Sequence, residues 1–160
     1  DQAVFFWKLV SKPQAIVELE AVKQMVANGF TVITVGGGGI PVVRKDNVLY
    51  GVPAVIDKDH ASSLLADLIE ADRLIILTSV PYVALNYGTK EQVNLTRLSV
   101  SEAKNYLQEG HFKSGSMKPK IEAALAFVDH MPNRKAIIAS LKDAKMAVEE
   151  KTGTLIYYKE

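Results

Sequence analysis

Phe30-Thr31-Val32-Ile33-Thr34-Val35 runs directly into Gly36-Gly37-Gly38-Gly39-Ile40-Pro41. The first six residues are β-branched or aromatic, carry no helical period and are bounded by glycine, so they read as a buried strand of an α/β sheet. Ligands of open α/β sheets bind outside the carboxyl ends of the strands, where this run empties. Glycines leave backbone N–H groups free of Cβ obstruction and accept positive φ, which builds the concave amide arrangement that phosphate favours. Two readings stand, an anion-binding loop and a flexible turn. The entropy that four glycines lose on ordering favours the first, because an ordinary strand exit needs only one. The run is neither a Walker loop, lacking Gly-Lys-Ser/Thr, nor a dinucleotide fingerprint, lacking Gly-x-Gly-x-x-Gly.

Upstream, Val4 to Val10 is strand-like, and Ser11 and Pro13 stand where a helix cap and first turn belong. Ile16, Leu19, Val22 and Val26 then recur at helical spacing as far as Asn28-Gly29. Downstream, Val42-Val43 and Val48-Leu49-Tyr50, separated by Arg44-Lys45-Asp46-Asn47, predict a small hairpin or flap. Asp57 is positioned to cap a helix from about Lys58 to Ala71, followed by a strand over Leu74–Thr78. Ser101 is expected to cap a short helix and Pro119 to open a longer one. A strand Ala136–Ala139, a helix near Leu141–Val148 and a strand Leu155–Tyr158 close the chain. Strands alternating with helices imply an α/β fold, a mostly parallel sheet covered on both faces.

The chain has 160 residues, 48% of them apolar, enough for one core, and no repeat or linker marks a boundary, so a single undivided lobe over 1–160 is expected. With 19 basic and 18 acidic residues, the net charge of +1 provides no electrostatic footprint for nucleic acid or a membrane surface. The absence of cysteine removes disulfides and thiolate metal sites and fits a reducing compartment, so the cytoplasm is the expected location. No apolar run reaches the roughly 18 residues of a membrane span. The opening at Asp1, leading straight into an apolar run, suggests part of a longer chain.

Three further segments carry candidate chemistry. Asp57-Lys58-Asp59 opens a helix, where the dipole favours the acids and disfavours the lysine between them. Lys58 is either a point charge held for a transferring phosphoryl group or part of a solvated helix start with an acidic cap. Gly115-Ser116-Met117-Lys118-Pro119-Lys120 leads small residues and a proline into a helix start, a place for phosphate or, on the plainer reading, a turn with Met117 as core filler. Tyr82, Val83, Leu85 and Asn86, after Thr78, have the composition of a flat apolar slot with a polar rim. His60, His111 and His130 have no ligand-like spacing and read as ordinary histidines; no protein metal site is expected.

Taken in order, these segments resemble carbamate kinases of the amino acid kinase family. The resemblance rests on Val35-Gly36-Gly37-Gly38-Gly39-Ile40-Pro41-Val42, Gly51-Val52-Pro53-Ala54-Val55-Ile56-Asp57-Lys58-Asp59, Leu77-Thr78 with Leu85-Asn86-Tyr87-Gly88, and Glu109-Gly110-His111-Phe112. It continues through Gly115-Ser116-Met117, Pro119 to Ala124, Ala139-Ser140-Leu141 and Lys151-Thr152-Gly153-Thr154. Phe5-Phe6-Trp7, where the family usually has a basic pair, and Ser79 and Pro81, where acids are common, depart from it.

The resemblance implies a three-layer α/β/α sandwich, the carboxy-terminal nucleotide-binding lobe of a kinase whose amino-terminal lobe is absent from these residues. It implies reversible phosphoryl transfer between ADP/ATP and carbamoyl phosphate/carbamate, ATP-forming in arginine degradation, with Mg2+ and a full-length homodimer. Lys58 and Lys120 would neutralise the phosphoryl group in transit and Asp59 would orient the lysines. Gly36, Gly37, Gly38, Gly39 and Asp57 would approach phosphate or carbamate, while Thr78, Tyr82, Val83, Asn86, Gly115, Ser116 and Met117 would surround the nucleotide. A non-catalytic nucleotide-binding or sensing module and another amino acid kinase are the alternatives.

Overall fold

The computed structural model describes residues 9–37, 39–129 and 131–159. The expected strand at Val4–Val10 therefore lies mostly outside the described residues, as do Gly38 and His130. Contacts divide the chain into two compact units, one through Leu65 and one from Ala66.

In the first unit, strand β1 (Leu9–Ser11) is followed by helix α1 (Leu19–Ala27). Ser11 thus ends a strand instead of capping a helix, and α1 starts six residues beyond Pro13, after a turn in which Leu19 N–H reaches Ile16 C=O at 3.3 Å. The helix stops where expected. Gly29 adopts φ +80°, its N–H bonds Val26 C=O at 2.9 Å, and Phe30 N–H bonds Met25 C=O at 3.0 Å. This closure satisfies the last carbonyls and requires a residue that tolerates a left-handed conformation.

Residues 30–35 do not form the predicted strand. Phe30 is 67% and Ile33 99% exposed, and none of the described strands pairs with the run. An apolar β-branched sequence becomes a strand only beside a ladder partner, since its own backbone groups cannot pair within the segment.

The hairpin is present as β2 (Val42–Lys45) and β3 (Val48–Gly51), antiparallel, turned by Asp46 and Asn47 at φ 49° and 62°. Two successive positive φ values match the twist of the flanking strands. Strand β4 (Ala54–Ile56), which the periodicity did not reveal, pairs in parallel with β1. Helix α2 (Lys58–Leu68) follows, ending three residues short of Ala71 where Glu70 turns to φ 57°.

The second unit contains β5 (Arg73–Thr78), β6 (Val83–Leu85), β7 (Val93–Leu95) and β8 (Arg97–Ser99). Helices α3 (Val100–Gln108) and α4 (Met117–Val128), strand β9 (Lys135–Ser140), a 3-10 turn (Leu141–Asp143), α5 (Ala144–Val148) and β10 (Thr154–Tyr157) complete it. The sheet order is β5-β9-β10-β8, with β5–β9 and β10–β8 parallel and β9–β10 antiparallel. Side chains alternate across it. Leu74, Ile76, Ala136, Ile138 and Ile156 join a core with α3 and α4, whereas Ile75, Ile137, Ala139 and Leu155 meet Ala147 of α5. These are three layers. In α4, Ala123 and Ala124 are fully buried, and Ile121, Phe127 and Val128 fill the core, each of these three larger side chains contributing roughly 1.5–3 kcal/mol by its burial. Helix α3 is capped by Ser99, two residues before the expected Ser101. Glu102 N–H bonds Ser99 Oγ at 3.3 Å and Ser99 N–H bonds Glu102 Oε2 at 2.9 Å, a reciprocal box whose Ser-x-x-Glu spacing is visible in the sequence.

Strands β6 and β7 form an antiparallel ribbon with Val83 opposite Leu95. One buried hydroxyl joins the ribbon to the sheet: Thr154 Oγ1 accepts from Val83 N–H at 2.8 Å and donates to Leu95 C=O. Beside it, Gly153 stands at φ +90°, and a Cβ there would come within 2.8 Å of both Ala139 Cβ and Ile138 O, so glycine is required for the approach of β10 to β9. Thr154→Val keeps the side-chain shape but strands the Val83 amide and the Leu95 carbonyl. We expect a loss of about 2–4 kcal/mol, read as a lower urea midpoint at unchanged slope.

Candidate functional site

The second unit carries a cleft of about 420 Å³ at the end of β5. Thr78, Ser79 and Val80 leave the strand along one side, and Tyr82, Ala84 and Asn86 come from the ribbon. Phe112, Lys113, Ser116 and Met117 close it from the segment between α3 and α4. The walls are aromatic and aliphatic, and hydroxyls, an amide and one ammonium group form the rim. This is the composition of a site for a flat, polar-edged ring carrying an anionic tail.

The ribbon tip is held by its own hydrogen bonds. Asn86 adopts φ 51° and Gly88 φ 81°; Thr89 Oγ1 donates to Asn86 C=O at 2.9 Å, and Gly88 N–H donates to Gln92 Oε1 at 2.9 Å. On the opposite wall, Phe112 is 5% exposed, and His111 packs edge-on to Tyr106 with ring centres 5.5 Å apart while its Nε2 meets Glu109 Oε2 at 3.1 Å.

Of the expected residues, Thr78, Tyr82, Asn86, Ser116 and Met117 share this cleft. Val83 does not. Strand alternation turns Val83, fully buried, and Leu85 into the core with α3 and α4, leaving Ala84 between them on the cleft side. Gly115 does not line the cleft; its φ of +76° makes the turn that sets Ser116 and Met117. Lys120, half-buried on α4, lies outside the lining. Sequence reasoning missed Ala84, Phe112 and Lys113 as wall residues; the Gly110-His111-Phe112 signature was a signal for Phe112 and its neighbour Lys113, and Ala84 had none. A second cavity of about 270 Å³ on the α5 side of the sheet, floored by Ile137 and Leu155, shares Tyr82.

Helix α4 opens without compensation for its dipole. Ser116 occupies the cap position with no side-chain cap bond, and the first turn has no acid but holds Lys118. Cations at a helix start are unfavourable unless an anion is bound nearby.

In the first unit, Gly36 and Gly37 form a turn in which a Cβ would meet nothing closer than 3.9 Å, so close packing does not explain them. Gly39 has φ +93°, and Val35, just before the run, is held at φ 49°. A β-branched residue there carries roughly 1–3 kcal/mol of strain, a feature that clusters at ligand sites. Asp57 caps α2 as expected: its Oδ1 accepts from Asp59 N–H at 2.9 Å and His60 N–H at 3.1 Å, and lies 3.0 Å from His60 Nδ1. Lys58 is exposed, and Asp59 is 8% exposed. Among the described residues no group of three or more His, Cys, Asp or Glu side chains is arranged to hold a metal ion, and no helix is long and apolar enough to cross a membrane.

Partial burial pushes the Asp57 carboxyl up, but the His60 side chain, the His60 amide, the charge of His60 and the Asp59 amide together hold it below its ordinary 3.8. A carboxyl lowered on folding contributes stability in full above its ordinary value, and that contribution is lost as pH falls through the lowered value. Asp57→Ala is therefore expected to cost about 1 kcal/mol at neutral pH, with the difference from the parent shrinking in strongly acidic buffer; paired urea titrations check it.

Comparison with known proteins places the chain in a family and a fold. The sequence model of the amino acid kinase family matches residues 6–140. The carbamate kinase-like protein YqeA of Escherichia coli is 54% identical over 145 residues, 91% of this chain and 47% of that protein. Carbamate kinase 1 of Enterococcus faecium is 49% identical over 91% of this chain and 46% of its own length. The carbamate kinase from Giardia lamblia bound to AMP-PNP superposes with a TM-score of 0.90 at 40% identity, covering 94% of this chain and 52% of that one. The chain thus spans about half the length of the curated relatives it matches. With a family match over most of its residues and a mixed, mostly parallel α/β architecture to go with it, the chain belongs to the amino acid kinase family.

Proposed function

We propose that this chain is the nucleotide-binding half of a carbamate kinase, interconverting ADP plus carbamoyl phosphate and ATP plus carbamate. The observation that carries the reading is the cleft beyond β5, whose aromatic and aliphatic walls suit a purine and whose Lys113 and Ser116 suit phosphate oxygens. The similarity to a Giardia carbamate kinase bound to a nucleotide analogue supports the same assignment.

In the ATP-forming direction a terminal phosphate oxygen of ADP attacks the phosphorus of carbamoyl phosphate. The bond from phosphorus to the carbamate oxygen breaks, and carbamate leaves with that electron pair. Such a transfer asks the protein mainly for alignment and charge neutralisation. Lys58 and Lys120 are assigned to the negative charge of the moving group, Asp59 to orienting lysine, and the glycines at 36–39 with Asp57 to phosphate or carbamate. Thr78, Tyr82, Asn86, Ser116 and Met117 hold the nucleotide, and Gly115 sets the turn beneath it. Val83 acts through the ribbon backbone. A magnesium ion carried by the nucleotide would help neutralise its phosphate oxygens. The residues that complete the enzyme, a homodimer of the full-length protein, a cytoplasmic location where ADP is available, and operation toward ATP in arginine breakdown belong to the same proposal.

The test is ATP formation from ADP and carbamoyl phosphate by the full-length protein. Turnover is expected, and Lys58→Ala should lower it by several powers of ten at nearly unchanged KM for ADP, each decade corresponding to about 1.4 kcal/mol of barrier. ADP binding without turnover would leave a nucleotide-binding module, and phosphorylation of acetylglutamate in preference to carbamate would make it a different amino acid kinase.

A further inference from the structure

The first turn of α2 contains a contact that helix capping alone does not need. Two backbone amides already use Asp57 Oδ1 in the ordinary way, from the second and third helical residues. The imidazole of His60 adds a third partner to the same oxygen, with Nδ1 at 3.0 Å. A carboxylate oxygen has no proton to give, so Nδ1 carries the hydrogen and donates. The contact is shielded, the His60 side chain being 11% and the Asp57 side chain 25% exposed.

Lys58 lies inside the small ring that this contact closes. Its backbone is bounded by the capping carboxylate on one side and by the residue bearing the imidazole on the other, while the lysine itself is exposed. Lysine is a compact charge on a flexible four-carbon stem, so the position of its Cα sets the region that its ammonium group searches. The helix dipole opposes a cation at this position and favours fraying of the turn that carries it. A clamp on the capping carboxylate counters that fraying.

We infer that His60 is a positioning residue: its Nδ1–H holds Asp57 against the first turn of α2 and so fixes the backbone from which Lys58 projects. The inference rests on the assignment of Lys58 to the phosphoryl group. His60 touches no reacting atom in this scheme and acts through Asp57.

The experiment compares His60→Leu, which removes the donor at similar volume, with His60→Asn, whose side-chain amide donates to the same carboxylate. Both are made in the full-length protein. Two quantities are read: hydrogen exchange of the peptide covering the start of α2, and steady-state ATP formation. His60→Leu should speed exchange at Asp59 and His60 and lower kcat roughly 10–100-fold with KM for ADP unchanged, and His60→Asn should recover most of both. A purely structural histidine would lower the melting temperature while leaving kcat intact at temperatures well below it, which overturns the inference. Unchanged exchange in His60→Leu also overturns it, whatever the activity. If His60→Leu does not fold, His60→Ala takes its place beside His60→Asn under the same two readouts, and equal exchange and equal kcat in those two variants would overturn it as well. Loosened exchange together with a parent protein that makes no ATP would instead remove the kinase reading, and the positioning role with it.

Discussion

The hydroxyl of Thr154 is the constraint on which the cleft depends. It is fully buried and joins the central sheet, through β10, to the β6–β7 ribbon, accepting from the amide of Val83 and donating to the carbonyl of Leu95. Those backbone groups face each other across the ribbon, so one side chain fixes both of its strands. The next residue continues the junction, since Leu155 N–H bonds Thr96 C=O at 3.0 Å between the two ribbon-side strands. Because β10 is locked against β9 at Gly153, the ribbon inherits the rigidity of the central sheet. Ala84, Asn86 and Tyr87, which form one wall of the cleft, are therefore placed by a core interaction rather than by their own weak contacts.

The starts of α2 and α4 solve the same electrostatic problem in different ways. Each carries lysine where the helix dipole is positive. In α2 the capping carboxylate of Asp57 offsets the charge, and its hydrogen bonds keep it ionised. In α4 no acid occupies the first turn and Ser116 leaves the cap without a side-chain bond. The second arrangement is tolerable for a helix whose far end is anchored by a buried Phe127 and Val128, and it leaves positive potential beside a cleft with a polar rim. An anion bound there would supply what the α4 sequence lacks, which is the physical content of the proposal that phosphate sits on this side of the second unit.

Much of the second unit was legible because its elements are long and strongly patterned. Strands β5 and β9 read as apolar runs and α4 as a periodic segment, since each is buried against a partner within the same unit, whereas the expected helix near Leu141–Val148 divides into a 3-10 turn and the five-residue α5. The three-residue strands β6, β7 and β8 escaped because three residues cannot display a period. That gap had a consequence for the site: without knowing that Val83 begins a strand, nothing distinguished it from Ala84, yet a pleated backbone turns one into the core and the other toward the cleft. The cap of α3 was misplaced by two residues for a different reason. Ser99 and Ser101 are chemically equivalent, and only the glutamate three residues after Ser99 separates them.

The glycine run shows where pattern and environment part. Its composition reads as the exit of a buried strand, and the residues before it have the β-branched character that two covered faces select. In the structure Ile33 is almost wholly exposed and the run has no ladder among the described residues, although the glycines still turn as a strand exit would, with Val35 and Gly39 at positive φ. The two observations are compatible because they answer to different forces. Backbone turning is a local property of Gly and its neighbours, set by sterics within a few residues. Strand pairing requires a second chain segment at about 4.8 Å, and no sequence can satisfy that requirement alone. Local features of the candidate site, the caps and turns, were therefore readable one residue at a time, whereas strand pairing is a property of two segments together and was not.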